Sequence, residues 1–123
     1  ETNTQAWLDE LRSAIDAAAQ DEGLTAVVAA DKRRVSWLSK QLGERVVTVR
    51  NGKKLPAEGV VLMDLPLAKG LEFDHVIVPD AQETVYPDTP LARRRLYTAI
   101  SRAMHKVDLI SQGGISPLLA DWK

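Results

Sequence analysis

Three short runs of this chain are apolar almost throughout: LTAVVAA (residues 24–30), VVLMDL (residues 60–65) and the HVIV that ends DHVIV (residues 74–78). A strand with one face in water alternates apolar and polar residues, so strands that do not alternate must be covered on both faces. The stretches between them carry a helical period. TQAWLDELRSAIDAAAQDE repeats Trp7, Leu8, Leu11, Ile15, Ala18 and Ala19 at helical spacing, with Thr4 as its cap and Gly23 as its stop. DKRRVSWLSKQLG does the same with Val35, Leu38 and Leu42, between Asp31 as N-cap and Gly43 as C-cap. LARRRLYTAISRAMH reads as one helix that turns Leu91, Leu96, Ile100 and Met104 inward. RVVTV and KVDLIS supply two more strands, and RNGKKLPAEG and PDAQETVYPDTP read as loops. Strands alternating with helices, several strands apolar on both sides, predict an α/β domain: a parallel sheet with helices on both faces.

The 123 residues suit one domain, and at 45% hydrophobic they can build a core without covalent staples. No cysteine is present, which excludes disulfides and thiolate metal sites and fits a reducing cytoplasm. No apolar run approaches the ~20 residues that span a bilayer, and no signal peptide is visible. The chain opens on ETNTQ without Met, as a piece of a longer protein would and as a chain that has lost its first Met would too. Its net charge is −1, yet Arg93, Arg94, Arg95, Arg102, His105 and Lys106 concentrate positive charge in one segment. A local basic patch, not the total, is what meets nucleic acid.

In open parallel sheets, ligands bind outside the carboxyl ends of the strands. LAKGLEF leaves the carboxyl end of VVLMDL and is on that ground a candidate ligand loop. Gly70 permits positive φ or a close backbone approach, Lys69 offers a cation, and Glu72 can accept from hydroxyl groups. The plain alternative is a surface turn with a Lys–Glu pair. In ARRRLYTAISRAMHK, helical spacing puts Arg95 and Arg102 near one face, seven positions apart. The apolar flanks of Arg102 predict half-burial, and a half-buried arginine wants an anionic partner. Asp108 and Glu72 are the structural candidates, a phosphate the functional one, because the planar guanidinium stays charged and carries several donors. Arg93 and Arg94 read as a solvated helix face. His75 and His105 lack neighbours at ligand spacing and are not read as metal ligands. Trp7, Trp37 and Trp122 are of a type that stacks on bases. Trp7 lies on its helix's apolar stripe and Trp37 one position off, so core or interface packing is expected for both.

Taken together, LAKGLEFDHVIV and RRRLYTAISRAMHKVDLI resemble the last two motifs of the UvrD/Rep-type superfamily 1 DNA helicases, in order and spacing. The resemblance covers Val60 to Ile110 and, with the upstream strand and helix, extends more weakly to Leu24. GLEFDHVIVPD is most similar to the HelD-like (helicase IV-like) branch. The resemblance implies a three-layer RecA-like, P-loop-NTPase-like lobe, the second of two between which ATP with magnesium is held. The sequence contains no G-x-x-x-x-G-K-[ST] and no Walker-B acidic pair. The implied unit is therefore residues 1–123 as a second lobe without its own P-loop, with residues 1–22 leading in from the interlobe connection. Its partners would be the first lobe of the same parent and single-stranded DNA, and its location the cytoplasm. Residue by residue, the resemblance makes Arg102 the arginine that reaches the γ-phosphate and Glu72 the contact near the ribose. Gly70 and Lys69 would shape the loop beside the nucleotide. Ser101 stands where the family usually has Thr, and Lys32 and Ser101 are its nucleic-acid contacts. The sequence departs from the family pattern at Asp64 and Pro66, where relatives carry a threonine and a histidine near DNA, at Ala30 and Asp31, and at Leu91 and Ala92. Those changes touch the nucleic-acid side and spare the ATP side, the pattern of a HelD-like ATPase factor that binds and remodels RNA polymerase instead of unwinding DNA.

Overall fold

The structure, a computed structural model, describes residues 2–50, 54–113 and 116–119; Trp122 lies outside them. Its element order is α1 (Thr2–Ala18), β1 (Leu24–Ala29), α2 (Lys32–Leu42), β2 (Val47–Thr48), β3 (Gly59–Asp64), α3 (Leu65–Ala68), β4 (Phe73–Val78), α4 (Pro90–Ile100) and β5 (Ala103–Leu109). The strands form one sheet in the order β2-β3-β1-β4-β5, and every pairing is parallel. β1 sits at the centre, between β3 and β4, with all six residues buried.

Alternate residues of these strands feed two separate cores. Ala26, Val28, Val61, Met63, Val76 and Val78 pack under α3 and α4, with Leu65, Ala68, Ala92, Leu96 and Ala99. Val27, Ala29, Leu62 and Ile77 pack on the opposite face, under α1 and α2, with Leu11, Ile15, Leu38 and Leu42. The expected three-layer α/β arrangement is what the chain adopts. Among the described residues no helix is long and apolar enough to cross a membrane.

Local expectations fare unevenly. Asp31 caps α2, accepting from the Arg34 N–H at 2.9 Å, and Gly43 closes it with φ 57°. Thr4 is not a cap: α1 begins before it, and its hydroxyl accepts from Gln112 Nε2 at 2.9 Å. α1 also stops at Ala18, ahead of Gly23. The reading of 91–105 as one helix is wrong. α4 ends at Ile100, and Ala103, Met104 and His105 belong to β5. Backbone pairing wins over helix propensity there, because Arg102 O accepts from Phe73 N at 2.8 Å and locks the chain beside β4. Met104 is consequently exposed, not inward; Leu91, in the first turn of α4, is exposed as well, while Leu96 keeps its expected burial.

Candidate functional site

LAKGLEF does leave the carboxyl end of β3, but its motif residues do not stay there. β4 runs parallel to β3, so the connection must return to the amino edge of the sheet. Only residues 65–72 are available for it. Four helical residues rise ~6 Å and four extended ones ~13 Å, about the ~20 Å length of a six-residue strand. The loop therefore has little slack, and Leu71 and Glu72 are drawn to the amino end of β4. Gly70 makes the turn with φ 86°, in open space. Its backbone conformation, not crowding by the rest of the chain, is what calls for glycine.

The same edge receives the end of α4. Arg102 precedes β5, the neighbour of β4. Its backbone carbonyl is held by Phe73 N at 2.8 Å, and its Nη1 donates to Leu71 O at 3.4 Å. Ser101, the C-cap of α4, accepts from Arg102 Nη2 at 3.3 Å. Thus Gly70, Glu72, Ser101 and Arg102, from two distant segments, meet at one edge. Arg102 is half-buried, as expected, yet neither expected structural anion pairs with it. Asp108 lies against His75 Nε2 at 3.0 Å instead, and no carboxylate lies within ion-pair distance of Arg102 among the described residues. Its buried Nε has no hydrogen-bond partner. The Nη contacts are long and weak, so a half-desolvated guanidinium of this kind can exchange them for an anion at small further cost.

Lys69 does not join that group. It caps α3 at its carboxyl end and lines a groove with Leu65, Leu91, Arg94 and Arg95 beside α4. Arg95 does not share a face with Arg102. Its Nη2 reaches Ala30 O, at the carboxyl end of β1, at 2.8 Å.

Lys32 stands at the opposite, carboxyl edge. With Arg50, Asp64 and Pro66 it lines a concavity of about 470 Å³ over the ends of β1 and β3. Asp64, the departure from the family threonine, is 6% exposed and caps α3 by accepting from Leu67 N at 2.8 Å. A threonine can fill that capping role as well, so the site keeps its backbone job while its charge changes. Arg50 was missed because it follows a two-residue strand in a turn-rich segment that carries no motif.

The histidines are less isolated than their spacing suggested. His105 Nε2 lies 3.8 Å from Asp74, as His75 lies against Asp108. Both pairings join β4 to β5 and are invisible in sequence. Among the described residues, no three His, Asp or Glu side chains gather as a metal-binding group. Trp7 is buried as expected and donates from Nε1 to Pro79 O at 2.7 Å. Trp37 is 41% exposed and stacks on Trp7, with ring centres 5.9 Å apart.

No curated protein matches the chain. The sequence profile of the UvrD-like helicase C-terminal domain matches residues 59–110, the segment from β3 through β5. A chain from the yeast class II Hda1 HDAC complex superposes with a TM-score of 0.47 at 23% identity, over 84% of this chain and 39% of that one, too distant to argue from. The crystal structure of the C-terminal domain of a possible DNA helicase from Lactobacillus plantarum WCFS1 is 35% identical, with a TM-score of 0.83 over 94% of this chain and 73% of that one. Shared sequence and shared fold over nearly the whole length lead to one conclusion: the chain belongs to the UvrD-like helicase C-terminal domains.

Proposed function

We propose that the chain is the second motor lobe of an ATP-dependent DNA helicase or translocase, completing an ATP site whose P-loop lies on a first lobe. The observation that carries this reading is Arg102 at the amino edge, beside Glu72 and without a carboxylate partner among the described residues. ATP, when bound with magnesium, supplies the phosphoryl bond whose hydrolysis powers movement. The polyphosphate suits the donors of Arg102, and the ribose hydroxyls suit the exposed carboxylate of Glu72. Magnesium would be held mainly by the first lobe in this reading. Arg102 acts as an arginine finger that offsets charge in the phosphoryl-transfer transition state. Gly70 lets the loop backbone turn close to the nucleotide, and Lys69 borders that loop on the α4 side. Lys32 contacts strand phosphate at the other edge. Ser101 steadies the Arg102 guanidinium more directly than it could touch DNA, because its hydroxyl is engaged there.

The test is ATP turnover by the full-length parent, with and without single-stranded DNA, beside its Arg102→Ala variant. A finger loses on the order of 10²-fold or more in rate with little change in nucleotide affinity. Equal activity would make the arginine structural and sink the reading. The 123-residue chain alone is expected not to hydrolyse ATP. The second reading, a HelD-like factor acting on RNA polymerase, is favoured by Asp64 and Pro66, which leave the DNA-side loop without its usual polar donors. Capture of polymerase by a parent that fails to unwind duplexes would select it.

A further inference from the structure

Trp37 calls for a separate account. A tryptophan set one position off its helix's buried stripe normally folds back onto the core, yet this one presents a large part of its ring to solvent. It is held flat by the buried Trp7, itself fixed through Pro79 O, with the two rings only 16° from parallel. The pair forms one wall of a concavity of about 380 Å³ at the carboxyl edge, with Arg33, Arg34, Asp31 and Asp80 around it. The charges there are not equivalent. Asp31 is engaged by the Arg34 N–H, and Asp80 by the Ala30 N–H and, at 3.7 Å, the Arg34 guanidinium. Arg33 is exposed and has no carboxylate partner among the described residues. The same holds for Lys32 and Arg50 across the amino end of α2, where Asp64 is occupied with Leu67 N. At this edge Asp31, Asp64 and Asp80 each accept from a backbone N–H, whereas Arg33, Lys32 and Arg50 have no carboxylate partner among the described residues.

We infer that the Trp37 ring is a base-stacking platform for single-stranded nucleic acid, whose backbone runs over the start of α2 between Arg33 and the Lys32–Arg50 concavity. A flat, pre-ordered aromatic face beside unpaired cations is the chemistry that binds a single strand without reading its sequence. The Trp7 stack supplies the order in advance, so little freedom is lost on binding. The inference rests on the helicase reading for the kind of polymer. Its site lies at the edge opposite Arg102, so strand binding and ATP turnover report on the two claims separately.

The experiment measures binding of a labelled oligothymidylate, and of an abasic strand of equal length, to the 123-residue chain by fluorescence anisotropy across a low-salt series. The abasic strand keeps every phosphate and removes the bases. The expected result is that wild type binds the thymidylate about tenfold more tightly than the abasic strand. Trp37→Leu brings thymidylate binding down to the abasic level and leaves the salt slope unchanged, and Trp37→Phe restores most of the loss. Arg33→Ala flattens the log–log salt slope by about 0.7, one phosphate contact on a single strand. Equal wild-type affinity for the two strands overturns the inference, as does an equal loss on both strands in Trp37→Leu or no binding to either strand at low salt.

Discussion

Replacing Asp80 by Asn removes a charge that folding buries. The Asp80 side chain is 1% exposed at the carboxyl end of β4. Burial pushes its pKa up from 3.8 to about 6, against the opposing pull of the Ala30 N–H and Arg34. Above pH 6 the carboxyl is ionised in both the folded and the unfolded chain, and the folded state bears the whole penalty. A gap of roughly two units at 1.36 kcal/mol each is about 3 kcal/mol. The sign follows from proton binding. Between about pH 4 and pH 6 the folded state holds the proton more tightly, so stability falls as pH rises through that window and levels off above it. Asparagine keeps an oxygen for the Ala30 N–H and stays neutral. The contact it forfeits with Arg34, at 3.7 Å and 38% exposure, is weak and already contained in that net shift. Asp80→Asn should therefore stabilise the domain by about 3 kcal/mol near pH 8, and the advantage should vanish below about pH 4. Urea denaturation of both proteins across that range measures the difference directly. A difference that does not change with pH would refute the reasoning, because it would mean that Asp80 is not titrating under a burial penalty.

Other outcomes follow from the same geometry. Gly23 has φ 93°, and an added Cβ would lie 2.2 Å from Asp74 Oδ2, which accepts from Leu24 N at 2.8 Å; Gly23→Ala should cost roughly 1–3 kcal/mol in a denaturant titration. Leu62 is fully buried in the middle of β3, and Leu62→Ala should lose about 2–5 kcal/mol by the same measurement. Thr89 caps α4 by accepting from Ala92 N at 3.1 Å, so Thr89→Ala should cost about 1 kcal/mol and leave strand affinity unchanged. Asp64→Thr preserves an acceptor for Leu67 N while removing a negative charge beside Lys32 and Arg50. It should leave stability within about 1 kcal/mol and raise single-strand affinity several-fold at low salt, read by anisotropy.

The sequence by itself determined the layers. Val27, Ala29, Leu62 and Ile77 read as apolar whichever face they occupy, and strands apolar on both sides admit only a sheet covered by helices on both sides. The caps of α2 were equally legible, because Asp31 and Gly43 act on backbone within a few residues of themselves. The motifs around Gly70 and Arg102 were legible as residue types at fixed spacing. Where they stand was not. Their place at the amino edge depends on the parallel return of residues 65–72 to β4, a path set by sheet order and not by any local preference. The end of α4 was decided likewise by the bond from Phe73 N to Arg102 O, which joins segments 29 positions apart. The exposure of Trp37, the pairing of His75 with Asp108 and the burial of Asp80 are also long-range outcomes. Periodicity and capping report interactions between near neighbours in the chain. Edges, ion pairs and desolvation depend on which strands lie side by side, and only the folded sheet decides that.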